Sequence, residues 1–144
     1  MAGVGTYLNF AGNTEEAFEF YKTVFGTDYV NGIMRFGDIP GEGPELSDAD
    51  KQKVMHVGLP TLGDHLLMGT DALESMGQTV TTGTNVAIML NPDTHEQCDE
   101  LFEKLSDGAT DVQPMKNEFW GDYYGHLTDK FGVHWMIDIE GHKS

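Results

Sequence analysis

Cysteine and arginine are nearly missing from this chain of 144 residues, which contains one of each, Cys98 and Arg35. A single cysteine excludes an internal disulfide and any zinc site built on paired CxxC motifs. No segment approaches the ~18 consecutive apolar residues that a membrane-spanning helix needs. The first ten residues, MAGVGTYLNF, also lack the basic and apolar regions of a signal peptide. The sequence therefore predicts a cytoplasmic protein that does not contact membranes.

Positive charge is scarce throughout the sequence. The chain has 8 Lys and Arg residues against 24 Asp and Glu residues, for a formal net charge of −16. Binding to a phosphate backbone needs clustered Lys and Arg side chains, which are absent here, so nucleic acid is excluded as a direct partner. The acidity itself is explained by solubility or by a salt-adapted host.

The chain contains an internal repeat with an offset of about 80 residues. Residues 13–16 (NTEE) and 93–96 (DTHE) each place Asn or Asp at a helix N-cap position and Glu three residues later, as in a capping box. Apolar residues follow in the same register at the spacing of one helix face. These residues are Phe18, Tyr21 and Phe25 in the first copy and Cys98, Leu101 and Leu105 in the second. We expect Cys98 to pack in the core and not to act as a nucleophile.

The repeat extends to the surrounding strands, so the sequence predicts an α+β fold with two βαβββ modules. Helices are predicted at about 13–25 and 93–106. The predicted strands lie at about 4–10, 28–36, 53–60 and 64–70, and at about 84–91, 109–114, 120–128 and 132–139. Residues 37–51 are rich in Gly, Pro and acidic residues and indicate a loop. We expect one domain over 1–144, with module one at about 1–72, a linker at about 73–83 and module two at about 84–144.

Several stretches resemble the PhnB-like branch of the vicinal oxygen chelate superfamily, which includes glyoxalase I, bleomycin-resistance proteins and extradiol dioxygenases. They are YLNFAGNTEEAFEFYKTVFG (7–26), RFGDIP (35–40), KVMHVGLP (53–60), HLLMGTD (65–71), LNPDTHEQCDELF (90–102) and FWGDYYGHLTDKFGVHWMID (119–138). The resemblance implies that the two modules pack their sheets into a cupped, half-open barrel. It also implies a homodimer.

The resemblance further implies four metal-ligand positions, on the first and last strands of each module. In this sequence those positions carry Thr6, Met68, Asn85 and Met136. A hydroxyl, an amide and two thioethers do not make a Zn, Mg or Mn site. We therefore expect no metal and no cofactor, and we assign these four residues to ligand contact instead.

Three further side chains are candidates for ligand contact in the cup. Phe119 and Trp120 begin an aromatic run that would form a stacking wall for a flat or apolar ligand, although edge packing or a dimer contact explains them equally well. His134 lies on the same strand face as Met136 and is placed to contact a ligand. No GxGxxG or P-loop pattern occurs, so the sequence predicts no Rossmann-type nucleotide site.

Three hypotheses for function follow from these observations. The first is a protein that binds a small apolar or aromatic molecule in the cup without metal. The second is a metal-dependent lyase, isomerase or dioxygenase with a non-standard ligand set. The third is a purely structural dimeric protein with a filled cup. No catalytic residue is identified.

Overall fold

Four strands and one long helix occur in the same order in each half of the chain. The computed structural model describes residues 2–40 and 45–140, and the chain divides into two compact units, Met1–Thr81 and Thr82–Ser144. The first unit contains β1 (Thr6–Phe10), α1 (Thr14–Phe25), β2 (Met34–Arg35), α2 (Asp48–Gln52), β3 (Val54–Pro60) and β4 (Leu66–Asp71). The second contains β5 (Ile88–Leu90), α3 (His95–Leu105), β6 (Thr110–Asn117), β7 (Asp122–Thr128) and β8 (His134–Glu140). Short 3-10 helices lie at Phe36–Asp38 and Glu74–Met76.

Each unit forms one open, mixed sheet. The strand order is β1-β4-β3-β2 in the first sheet and β5-β8-β7-β6 in the second. In each sheet the first strand of the unit pairs in parallel with its last strand, and the other pairings are antiparallel. The prediction of an α+β fold with two βαβββ modules is therefore confirmed. Within the described residues, the strand pairings close neither sheet into a barrel.

Two predicted strands are shorter in the structure. The strand predicted at 28–36 is reduced to β2, because Asn31 and Gly32 both adopt a left-handed backbone, with φ of 61° and 69°. Two such residues in a row turn the chain and end an extended segment. The strand predicted at 84–91 is limited to β5, so Asn85 lies in a bend before the strand.

The predicted loop at 37–51 is only partly irregular. It contains α2, whose N-cap Ser47 accepts a hydrogen bond from the Asp50 N–H at 3.1 Å. Residues 41–44 of this loop lie outside the described residues.

The predicted capping boxes are wrong in detail. Asn13 occupies the N-cap of α1 but makes no capping hydrogen bond with its side chain. The second long helix is capped by Thr94 instead of Asp93, and the Thr94 hydroxyl accepts from the Gln97 N–H at 3.1 Å. The apolar register that follows the caps is present in both helices. Phe25 is half-buried, and the other predicted residues, Phe18, Tyr21, Cys98, Leu101 and Leu105, are buried.

The core of each unit lies between the long helix and one face of the sheet. Phe18 and Tyr21 of α1 and Cys98 of α3 are fully buried, and Trp135 of β8 is 1% exposed. Helix α1 and strand β4 are in such close contact that a Cβ built on Gly69 of β4 would lie 2.5 Å from the Phe18 ring of α1. Burial raises the pKa of the Cys98 thiol to about 11, which keeps it protonated and unreactive.

Two buried aspartates hold the ends of these elements together. Asp71 at the end of β4 accepts hydrogen bonds from the N–H and hydroxyl of Thr14, which starts α1, and from the N–H of Val54, which starts β3. Asp129 follows β7 and accepts from the N–H groups of Phe131 and Val133 and from the Trp135 indole. Each carboxylate thereby fixes the relative position of neighbouring elements.

We expect Asp71→Asn and Asp129→Asn each to lower the free energy of unfolding by about 2–3 kcal/mol, because hydrogen bonds to a buried charge are strong and the new amide N–H₂ would face another donor. Chemical denaturation followed by circular dichroism measures this loss. Asp64→Asn, at an exposed turn position, serves as the control and should change stability by less than about 0.5 kcal/mol. Equal stabilities for all three variants would contradict the structural role of the buried pair.

Candidate ligand-binding site on the open sheet faces

Each sheet has one face against its long helix and one face that its own unit leaves uncovered, here called the open face. In the first sheet, Leu67 and Gly69 face α1, so Met68 between them lies on the open face. A Cβ built on Gly5 would lie 3.0 Å from the Met68 Cε, which places Tyr7, two residues on, on the same face.

Thr6 therefore lies on the helix side of β1, and its hydroxyl is hydrogen-bonded to His65 Nε2 at 2.8 Å. Tyr7 pairs with Met68 across the parallel strands and lies on the open face. Successive residues of a strand point to opposite faces of the sheet, so Thr6 and Tyr7 differ in the face they occupy.

The open face of the first sheet carries a tyrosine–histidine pair. The Tyr7 hydroxyl is 3.0 Å from His56 Nδ1, and burial raises the pKa of Tyr7. Met34 of β2 lies opposite His56 and is about half exposed, at 48%. This face thus presents polarisable and aromatic groups, among them the predicted contact residue Met68.

The open face of the second sheet contains a cavity of about 520 Å³. Three residues assigned from the sequence, Asn85, His134 and Met136, line it together. Met136 lies directly opposite His126 on the neighbouring strand β7. The other lining residues are Thr84, Val86, Ala87, Asp111, Tyr124, His126, Leu127, Thr128 and Trp135.

Phe119 and Trp120 lie in the turn between β6 and β7, at the border of this site and not in the cavity lining. Phe119 is 97% exposed and packs edge-on against Trp120, at 5.1 Å between ring centroids. The Trp120 ring lies 6.2 Å from that of Tyr124, which does line the cavity. Trp120 therefore contacts a residue of the cavity lining but does not line the cavity itself.

The two histidines of the cavity differ in their free capacity for hydrogen bonding. His134 Nε2 lies 2.9 Å from the Gly83 carbonyl oxygen, which only accepts, so Nε2 carries the proton and donates. His134 Nδ1 lies 2.7 Å from the Thr128 hydroxyl, so both ring nitrogens are engaged. His126 is held at Nδ1 by the Tyr124 hydroxyl, at 2.8 Å, while its Nε2 has no partner among the described residues.

A carboxylate pair lies on the same face, further along β7 and β8. Burial, followed by a hydrogen bond with Asp122 and repulsion from it, raises the pKa of Asp138 to about 6. Asp138 lies directly opposite Tyr124 in the antiparallel register. Burial also raises the pKa of Tyr124, so Asp138 and Tyr124 both hold a proton more tightly than usual.

The residues present do not fit the catalytic metal that the superfamily resemblance suggests. The four carried-over positions supply no carboxylate and no imidazole, and both nitrogens of His134 are already engaged. Asp93, Asp122, Asp138 and Glu140 line a neighbouring concavity. Even so, within the described part of either unit no three His, Cys, Asp or Glu side chains group in a way that could hold a metal ion. We derive no step through a metal.

Comparison with known proteins agrees with this fold. The family model described as 3-demethylubiquinone-9 3-methyltransferase matches residues 2–138. A structure of protein PA1353 from Pseudomonas aeruginosa is 33% identical, with a TM-score of 0.81, and the match covers 97% of this chain and 98% of that one. A PhnB protein from Bacillus cereus is 25% identical, with a TM-score of 0.71 and coverage of 94% and 98%. 

A more distant structure has the same fold. It is a glyoxalase/bleomycin resistance protein/dioxygenase family enzyme from Burkholderia phytofirmans, 22% identical with a TM-score of 0.62, and the match covers 92% of this chain and 95% of that one. The chain belongs to the PhnB-like family, whose model carries the methyltransferase description. Among the described elements, no helix has the length and apolar character to span a membrane.

The raised pKa of Asp138 predicts a specific pH dependence of stability. A folded-state pKa of about 6 lies above the unfolded value, so the folded protein binds the proton more tightly and this group adds stability as pH falls from about 7 to about 4. Asp138→Asn removes that contribution. The melting temperature of the variant relative to wild type should therefore be higher at pH 7.5 than at pH 4.

Calorimetric scans of both proteins at several pH values measure this difference. Asp64→Asn, exposed and remote in sequence, is the matched control and should follow the wild-type curve at every pH. Parallel curves for wild type and Asp138→Asn would show that Asp138 titrates as an ordinary surface carboxyl.

Proposed function

We propose that this protein binds a small apolar or aromatic molecule in the cavity on the open face of the second sheet, without a metal ion. The observation that carries the proposal is the cavity itself. Its volume of about 520 Å³ falls in the range of small-molecule sites, and its lining combines apolar groups with a few polar ones. A concave, partly apolar face of this kind favours ligand binding over the purely structural alternative.

The chemistry of the lining supports an apolar or aromatic ligand. Met136 supplies a polarisable thioether. Val86 of the lining and Met89, which pairs with Met136, are 70% and 48% exposed. Exposed apolar side chains that cluster at one site are typical of binding surfaces. The ring of Tyr124, extended by Trp120, adds an aromatic edge. Methionine side chains adapt to ligands of different shape.

The proposal covers binding and not methyl transfer or metal-assisted isomerisation. The methyltransferase description belongs to the family model, and the first strand of this chain is followed by AGNT (11–14), without the glycine-rich turn of a Rossmann-type cofactor site. Over residues 2–40 and 45–140, no group of three His, Cys, Asp or Glu side chains supports the metal-dependent alternative. We also propose that residues 1–144 form a single domain and that the protein is a homodimer. The family resemblance supports the homodimer.

A neutral fluorescent probe tests the proposed binding. N-phenyl-1-naphthylamine should bind with increased emission, and Met136→Glu should weaken its affinity at least tenfold, because the substitution places a carboxylate in an apolar contact. Met76→Glu, at a half-exposed methionine of the first unit, is the matched control and should bind like wild type. Equal affinity in all three proteins would place the probe elsewhere, and no binding to wild type would contradict the proposal.

Native mass spectrometry tests the metal and the assembly in one measurement. We expect about twice the 15.9 kDa chain mass, with well under one metal ion per chain after dialysis. Prior treatment with EDTA should leave the melting temperature unchanged. A full equivalent of Zn, Ni, Mn or Fe would overturn the metal-free proposal, and a monomer at micromolar concentration would overturn the dimer.

A further inference from the structure

The orientation of His126 defines one polar feature of the cavity. A phenol has a single proton, and burial together with the nearby Asp138 and Glu118 carboxylates raises the pKa of Tyr124, so its hydroxyl remains protonated. The described residues give this hydroxyl one hydrogen-bond partner, His126 Nδ1 at 2.8 Å. In the tautomer in which the Tyr124 hydroxyl donates to Nδ1, the proton of the neutral imidazole lies on Nε2.

His126 Nε2 is thus an unused hydrogen-bond donor. In the protonated imidazolium this nitrogen carries a proton as well, so it donates in either charge state. It has no hydrogen-bond partner in the described part of the chain, and it is accessible to solvent. His126 lines the cavity directly opposite Met136. The neighbouring His134 offers no such donor, because both of its nitrogens are engaged.

The charges around this donor restrict what it can bind. Among the described residues that line the cavity there is no Lys or Arg, and the one carboxylate is that of Asp111. The carboxylates of Asp122 and Asp138 lie further along the same face. An anionic ligand would meet repulsion without a compensating cation. The acceptor that His126 can serve is therefore an uncharged oxygen.

We propose that the ligand is an uncharged aromatic or apolar molecule with a carbonyl-type oxygen that accepts a hydrogen bond from His126 Nε2–H. This inference rests on the proposed function and names its ligand class. Tyr124 acts as a positioning residue, since it holds the imidazole in the donating tautomer. In this tautomer Nε2 has no lone pair available to accept a proton, so His126 orients the ligand and is not its base.

Two probes of nearly equal shape separate the hydrogen bond from apolar burial. They are 2-acetonaphthone, which has a carbonyl oxygen, and 2-isopropenylnaphthalene, which has a methylene group in its place. Equilibrium dialysis of the full chain with ultraviolet detection gives both dissociation constants. Wild type should bind the ketone about five- to tenfold more tightly, as expected for one hydrogen bond to an otherwise unpaired donor.

Variants at His126 assign that preference to one atom. His126→Phe should lose the preference for the ketone and bind the two probes about equally, while His126→Gln, which keeps an N–H donor, should retain part of the preference. Tyr124→Phe should reduce the preference, because the imidazole is then free to change tautomer. Thermal melting of each variant confirms that it is folded.

The outcomes separate the inference from the proposed function on which it rests. If wild type binds both probes equally, or if His126→Phe keeps the preference for the ketone, the inference is overturned and the binding proposal stands. If wild type binds neither probe up to the solubility limit, both are overturned.

Discussion

Buried carboxylates that accept several hydrogen bonds are the constraint on which both halves of this protein depend. Asp129 binds the turn between β7 and β8 through two backbone N–H groups and the Trp135 indole. That turn sets the register of the hairpin, which places His126 opposite Met136 and Tyr124 opposite Asp138. Asp71 does the equivalent work in the first unit, where it joins the starts of α1 and β3 to the end of β4. The arrangement of the candidate site therefore depends on the buried Asp129 carboxylate, which does not itself line the cavity.

The same architecture explains why the sheets are two-sided. Each unit has one long helix, and one helix covers one face, so Trp135 and Ile137 are buried while His134, Met136 and Asp138 between them stay half-buried. Strand alternation thus separates core from site within a single strand. On the open face of the second sheet, histidines are fixed by hydroxyl groups of Tyr124 and Thr128 and not by carboxylates. Such a surface suits recognition of an uncharged molecule better than coordination of a cation.

The repeat was predictable from the sequence because apolar residues in two helices share one register, and burial of Phe18, Tyr21, Cys98 and Leu105 follows that register. Local backbone chemistry was harder to predict. The left-handed backbone of Asn31 and Gly32 interrupts the strand that the sequence predicted at 28–36. The start of α1 depends on Asp71, a hydrogen-bond partner that is distant in sequence. For the site, Asn85, His134 and Met136 line one cavity of the second unit, and their contact with a ligand stays a prediction. Which of Thr6 and Tyr7 shares a face with Met68 depends on strand register, and the sequence does not show that register without the pairing partner.

The central claim is that a ligand occupies the open face of the second sheet beside Met136. Methyl NMR on protein labelled with ¹³C at its methionine methyl groups tests it most directly, because the chain has 8 methionines in distinct environments. Titration with 2-acetonaphthone should shift the Met136 methyl signal, assigned through Met136→Leu, by more than that of Met76, which is exposed in the first unit. A titration that shifts Met76 and leaves Met136 unchanged would contradict the account.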